Sequence, residues 1–243
     1  FNDHWVDSSV ITSRAEAQPG DYFEASIKIA DISMSNAWWF ATGGKSEIDV
    51  IENIGRPSAP GLTHREWEMA SNTHYNDPPP TTSIGNKSQM YDPNGQPLIS
   101  RDNFINFGVW WKSPQEIRFY YNDNQVAYIP PVGPFDEGLR MIFDMEVFHW
   151  VGFPTVASLN DPTKNTMQVD WVRGYRPVGN PGPPSNLLLN PGFEISYPGE
   201  PDRPDLWKDC GGSCGGGTPF ETRSSEEARS GNYSLRVDNS FPN

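Results

Sequence analysis

Apolar and polar residues alternate along much of this chain with a period of two. In residues 22–29, Phe23, Ala25, Ile27 and Ile29 interleave with Tyr22, Glu24, Ser26 and Lys28. In residues 140–148, Met141, Phe143, Met145 and Val147 oppose Ile142, Asp144, Glu146 and Phe148. A period of two places successive side chains on opposite faces of a strand, so each segment predicts a strand with one buried face. Residues 10–13, 38–40, 67–74, 104–111, 116–121, 125–129 and 166–175 add shorter strand signals, rich in β-branched and aromatic residues. Pro19-Gly20, Thr42-Gly43-Gly44, Lys112-Ser113-Pro114-Gln115 and Asn122-Asp123-Asn124 punctuate them as turns. Residues 77–95 are polar and rich in turn residues, which predicts a long surface loop. No long amphipathic helix stands out. Many short strands with turn signals predict an all-β chain folded as a two-sheet β-sandwich.

One segment breaks the alternation in an informative way. Lys45-Ser46-Glu47-Ile48-Asp49-Val50-Ile51-Glu52-Asn53 carries three carboxylates within six residues. On a strand, Glu47 and Asp49 share a face, but Glu52 falls on the other. A β-bulge at Val50-Ile51 inserts one residue and returns Glu52 to the face of the other two. Like charges clustered on one strand face cost stability. Two carboxylates about 5–5.5 Å apart are the equipment of retaining glycoside hydrolysis, one as nucleophile and one as acid/base. The competing readings are a solvated charged strand and a metal site.

Composition narrows the choice. The chain has 243 residues, and its nine Trp, nine Tyr and thirteen Phe are many rings for a soluble chain. Sugar-binding clefts use exposed rings, although most rings of any chain are buried. The net charge of −13 argues against nucleic acid and anionic membranes as partners. A few local Arg residues still leave room for a sulfated sugar. No apolar run reaches transmembrane length. Cys210 and Cys214, in Cys-Gly-Gly-Ser-Cys, predict at most a tight local disulfide of small stabilising effect.

Glu47-Ile48-Asp49-Val50-Ile51-Glu52 resembles the Glu-x-Asp-x-x-Glu signature of glycoside hydrolase family 16, in the bulged form of its agarases, porphyranases and carrageenases. Ile11-Thr12-Ser13-Arg14 with Gly20-Asp21-Tyr22-Phe23-Glu24-Ala25 resembles the strands leading to the family's site. Phe119-Tyr120-Tyr121-Asn122-Asp123-Asn124 resembles its outer hairpin, and Met167-Gln168-Val169-Asp170-Trp171-Val172-Arg173 its closing strand. The resemblance runs from about Trp5 to Arg176. It implies a jelly roll with a concave substrate cleft, and an endo-acting, retaining hydrolase of β-1,4 bonds in agarose or porphyran. κ-Carrageenase, laminarinase and a non-catalytic glycan-binding fragment are the alternatives. It further implies a monomer, secreted or at a bacterial cell surface, that needs no cofactor for catalysis.

Residue roles follow from the same resemblance. Glu47 takes the place of the nucleophile, Asp49 of the residue that holds it, and Glu52 of the acid/base. Like charge is expected to keep Glu52 protonated near neutrality. His74, beside a paired acid, is expected to tune it, with a surface loop His as the competing reading. Glu146 and Trp150 suit sugar hydroxyls and ring stacking; a salt-bridged strand is the competing reading for Glu146. Trp5, Trp67 and Trp110 are further stacking candidates. Arg14 and Arg65 suit a sulfate, although pairing with the many carboxylates competes. Asp170 resembles a position that helps hold a structural calcium on the convex side.

Residues 1–178 are therefore read as the catalytic domain, and 179–186, containing Asn180-Pro181-Gly182-Pro183-Pro184-Ser185, as a linker. Residues 187–243 resemble the opening strands of a carbohydrate-binding module. The family has further strands ahead of the segment matched at Phe1, so the resemblance implies an N-terminally incomplete domain from a longer protein. No signal peptide is recognised at Phe1.

Overall fold

The computed structural model describes residues 8–177, 188, 191–194, 196–197, 200–204, 207–209, 221–224 and 234–238. Its strands are β1 (Val10–Ala17), β2 (Tyr22–Lys28), β3 (Ser35–Ala41), β4 (Ser46–Ile54), β5 (Glu68–Tyr75), β6 (Thr82–Gln89), β7 (Ile105–Ser113) and β8 (Glu116–Tyr121). They continue with β9 (Asn124–Ile129), β10 (Leu139–Glu146), β11 (Thr166–Tyr175), β12 (Ser196–Tyr197), β13 (Glu200–Pro204), β14 (Trp207–Asp209), β15 (Glu221–Ser224) and β16 (Ser234–Asp238). Among the described residues, helix is confined to 3₁₀ turns at Thr63–Trp67 and His149–Val151 and one turn of α1 (Val156–Leu159). Thr155 caps α1, accepting from the Ser158 N–H while the Ser158 hydroxyl reaches back.

Two seven-stranded antiparallel sheets face each other, in the orders β14-β1-β10-β3-β4-β5-β6 and β15-β16-β11-β2-β7-β8-β9. The first is called the acid sheet and the second the back sheet. Ile48, Val50, Ile51, Trp38, Phe40, Met141, Phe143 and Met145 point inward from the acid sheet. Phe23, Ala25, Ile27, Phe107, Val109, Trp111, Ile117, Phe119 and Val172 meet them from the back sheet. Burying each large side chain stabilises by roughly 1.5–3 kcal/mol, so this single core is the main force holding the sandwich. The predicted all-β two-sheet fold is the fold observed.

Two local expectations change. Residues 82–89 form β6, paired along β5, where a loop was expected. β6 is an edge strand whose residues are exposed or half-buried, so no buried face wrote an alternation into the sequence. Trp67 ends a 3₁₀ turn instead of starting a strand.

The linker 179–186 lies outside the described residues. Among the described segments beyond it, β14, β15 and β16 extend the edges of the two sheets, and β12 pairs with β13 in a separate two-stranded sheet. β14 pairs with β1 through Ile11↔Asp209, and β16 pairs with β11 through Val169↔Leu235. Leu188, Phe193 and Leu235 are buried in the common core. The physical reason is the open edge: unpaired N–H and C=O groups on β1 and β11 are a template for any available strand.

Candidate active site

The site begins with a missed step in the β3–β4 ladder. Trp38 pairs with Ile51 and Trp39 with Asp49, so Val50 is the extra residue. Val50 and Ile51 both enter the core at 0% exposure, which leaves Glu47, Asp49 and Glu52 on the outer face. The bulge predicted at Val50-Ile51 is thus present. Neighbouring strands complete the surface, because cross-strand partners share a face. Glu47 lies opposite His74 and Asp49 opposite Asn72 on β5. On β3, Trp39 is the partner of Asp49, and Ala37 of Glu52. β10 contributes Asp144 beside Ala37 and Glu146 beside Ser35.

A strap from the back sheet fixes the entry to β4. The Glu137 carboxylate accepts from the N–H groups of Lys45 (2.9 Å) and Ser46 (2.6 Å), while Lys45 pairs with Asp136 at 2.9 Å. A Cβ at Gly44 would sit 2.4 Å from the Glu137 Oε2, so a larger residue there would push this carboxylate off its two N–H donors. Phe135, fully buried, stacks on Tyr75 with centroids 6.0 Å apart. A Cβ at Gly133 would strike the same Tyr75 ring at 2.2 Å.

His74 organises the acids. Its Nε2 lies 3.1 Å from Asp49 Oδ2 and 3.7 Å from Glu47 Oε1. Asp49 Oδ2 is buried, and His74 is the ion-pair partner that faces it. Asn72 Nδ2 stands 3.0 Å from the same Nε2, with its amide oriented by Thr73 N–H donating to Oδ1 at 3.0 Å. Trp39 Nε1 donates to Asp144 Oδ1 at 3.0 Å.

Burial and crowding push the acids up together. Glu47 and Glu52 both rise to about 7, first through burial, then through the Asp49 charge, with His74 opposing. Asp49 and Glu146 are raised chiefly by burial, and Asp144 well above the carboxylate range for the same reason. His74 is raised by its contact with Asp49, against desolvation. The expectation that like charge singles out Glu52 is therefore corrected: burial is the larger cause, and it acts on both glutamates.

The sequence candidates divide as follows. Glu47, Asp49, Glu52, His74 and Glu146 come together on one face. Trp150 is 42% exposed, stacks on Phe148 at 5.8 Å, and carries the Arg65 guanidinium 4.7 Å from its ring centroid. Arg65 is also ion-paired with Glu68, the pairing that competed with a sulfate role. Trp67 is half-buried, its carbonyl accepting from Met90 N–H at 2.7 Å. Arg14 is exposed on β1, three strands from β4. Trp110 is not a cleft residue. It lies on β7 of the back sheet, facing away from the core that Val109 and Trp111 enter. Trp5 lies outside the described residues. Asp170 is fully buried at the β11 irregularity between Val169 and Trp171. Among the described His, Cys, Asp and Glu side chains, none joins Asp170 in a metal-sized cluster. The described acids do not by themselves make a calcium cage there. Among the described residues, such a cluster is formed by Glu47, Asp49 and His74, whose donor atoms lie within 4.8 Å of one another. Trp39, Asn72 and Asp144 were not singled out in the sequence. Strict alternation between Trp38 and Phe40 was the available signal for Trp39.

Comparison with known proteins matches residues 1–177 to the family model described as "Beta-porphyranase A-D, GH16 domain". Beta-agarase AgaB34 of Agarivorans albus is 29% identical over 76% of this chain and 46% of its own length. Beta-porphyranase B of Phocaeicola plebeius is 28% identical over 65% of this chain and 58% of its own length. The chain thus spans about half the length of these curated relatives. The crystal structure of beta-agarase A with oligoagarose superposes with a TM-score of 0.59 at 26% identity, covering 70% of this chain and 67% of that one. The match spans the bulged acid strand and most of the chain, so the chain belongs to glycoside hydrolase family 16, in its β-porphyranase A–D group.

Proposed function

We propose that this chain is the catalytic part of an endo-acting, retaining glycoside hydrolase that cleaves β-1,4-galactosidic bonds of agar-type galactans. The single observation that carries the reading is the Val50 bulge, which turns Glu47, Asp49 and Glu52 onto one face beside His74. Glu47 attacks the anomeric carbon, and Glu52, protonated, gives its proton to the leaving oxygen. A carboxyl raised to about 7 keeps a protonated fraction of about one half at neutral pH, where an ordinary glutamate keeps almost none. Glu47 must attack as the carboxylate, and the adjacent His74 charge favours that form. Once Glu47 is esterified its negative charge is gone, the Glu52 carboxyl becomes more acidic, and Glu52 serves as base for water. Asp49 holds His74 by charge and keeps the ring beside Glu47.

Trp39, Trp150 and Glu146 offer ring faces and a hydroxyl acceptor to the sugar chain. Two carboxylates perform this chemistry without a cofactor. A polymer that cannot cross a membrane is met outside the cell, so the enzyme is expected to act secreted or at the surface. The test is side-by-side digestion of agarose, porphyran, κ-carrageenan and laminarin, with products sized and their reducing ends identified. Even-numbered galactan oligosaccharides with galactose reducing ends support the reading. Cleavage of laminarin or carrageenan alone contradicts it.

A further inference from the structure

The bulge that turns Glu52 into the cleft also removes part of its backbone support. The β4–β5 ladder runs from Ser46↔Tyr75 to Asp49↔Asn72 and stops at the bulge. On the β3 side the pairing resumes beyond it, from Trp38↔Ile51 to Ser35↔Ile54. Glu47 and Asp49 are therefore laddered on both sides, and Glu52 on one side only. A bulge leaves nearby N–H and C=O groups without ladder partners, and buried groups of that kind need other partners.

Side chains supply those partners. Ser71 Oγ, on β5, donates to the Val50 carbonyl at 2.8 Å. Asn53 Oδ1 accepts from the Ala70 N–H at 3.1 Å, and both residues that make these bonds are buried. The strand then ends on Arg101, in the turn ahead of β7. Arg101 Nη1 donates to the Gly55 carbonyl at 2.7 Å and lies 2.8 Å from Glu66 Oε2, while its Nε lies 3.3 Å from Asp31 Oδ1. One guanidinium thus ties the end of β4 to the segment between β2 and β3 and to the 3₁₀ turn that leads into β5. A Cβ at Gly55 would lie 1.7 Å from the Ala30 carbonyl oxygen, so the strand end is seated backbone to backbone on that segment. The Glu47 end is held separately, by Glu137 on the other side of the bulge.

We propose that Ser71, Asn53 and Arg101 are positioning residues for Glu52, which hold the acid/base within reach of the leaving oxygen while Glu47 is fixed independently. The inference rests on the roles proposed above for the two glutamates. A catalytic group misplaced by about 1 Å costs on the order of 10²-fold in rate. Loosening the far end of β4 therefore weakens proton donation and leaves nucleophilic attack in place.

The test uses the full chain and two substrates with the same sugar chain. An agar oligosaccharide releases a sugar alkoxide, which needs a proton from Glu52. A dinitrophenyl glycoside releases its aryl group without one, so its first turnover needs Glu47 alone. Asn53→Ala and Arg101→Met are each expected to lower kcat on the oligosaccharide about tenfold or more, with KM changed less than about twofold. The first-turnover burst of dinitrophenolate should change less than about twofold in both variants. The burst is read because the later attack of water needs Glu52 again. Equal losses on the two substrates would mean general damage to the fold, and no loss on either would mean that β3 pairing alone holds Glu52; each overturns the proposal. Where a variant melts below the assay temperature, Ser71→Ala is read in its place, since it removes a single donor. About threefold loss on the oligosaccharide with an unchanged burst is then expected, and wild-type rates on both substrates overturn the proposal. A wild-type chain that cleaves neither substrate refutes the proposed function itself. Variants that fail equally on both, beside an active wild type, refute only the positioning.

Discussion

Replacing Glu52 with Gln isolates the energetic cost of placing an acid in this cleft. Burial, with Asp49 and Glu146 nearby and His74 opposing, raises its carboxyl from 4.5 to about 7. A raised carboxyl pKa means that the folded protein binds the proton more tightly than the unfolded chain. Between pH 4.5 and 7 the native state therefore holds more protons, and stability falls as pH rises. Each pH unit is worth about 1.4 kcal/mol per proton, so the full window is worth up to about 3 kcal/mol. Gln keeps the shape and removes the titration. Wild type and Glu52→Gln should match within about 0.5 kcal/mol at pH 4.5. At pH 8 the variant should be the more stable by about 2–3 kcal/mol, or roughly 4–12 °C in melting temperature for a chain of this size. Urea and thermal melts at the two pH values measure it. A variant less stable at pH 8, or one with the wild-type pH slope, would refute the claim that burial raises this carboxyl.

The remaining predictions concern three other parts of the molecule. His74→Gln removes the cation that opposes the rise of Glu47 and Glu52, so the acidic limb of the kcat/KM–pH profile should move to higher pH, and an unmoved limb would make His74 a bystander. Glu137→Ala leaves the Lys45 and Ser46 N–H groups without their acceptor; a drop in kcat of about tenfold or more with little change in KM is expected, whereas unchanged kcat would mean β4 holds its own register. Ending the chain at Pro177 removes Leu188, Phe193 and Leu235 from the core and opens β1 and β11. At roughly 1.5–3 kcal/mol per buried side chain this approaches the whole stability of a domain, so the cooperative melt should be lost or fall by more than about 10 °C, and an unchanged melt would show the tail to be independent.

The acid strand was legible because its irregularity is a matter of counting. Five positions separate Glu47 from Glu52, and only an extra residue reconciles that with three acids on one face. The β10 strand was legible because its buried face wrote Met141, Phe143 and Met145 at a period of two. β6 was not, because an exposed edge strand imposes no such period. Trp110 shows a different limit. Alternation says that it opposes Val109 and Trp111, but not that its strand belongs to the sheet across the core from the acids. Asn72 and Asp144 act through cross-strand register, which no local pattern carries. The pairing of β14 with β1 and of β16 with β11 joins segments far apart in the chain, which neither the Pro/Gly linker nor the resemblance of 187–243 to a binding module could show.

The central claim is that Glu47 is the nucleophile and Glu52 the acid/base, and chemical rescue tests it most directly. With a galactoside bearing a good leaving group and added azide, Glu47→Ala lets azide attack the vacated face and should release the α-azide, inverted. Glu52→Ala keeps the nucleophile, so azide should intercept the glycosyl-enzyme and release the β-azide, with configuration retained. Proton NMR of the anomeric centre distinguishes the two. A β-azide from the Glu47 variant together with an α-azide from the Glu52 variant would reverse the assignment, and full activity in both variants would move the chemistry away from this strand.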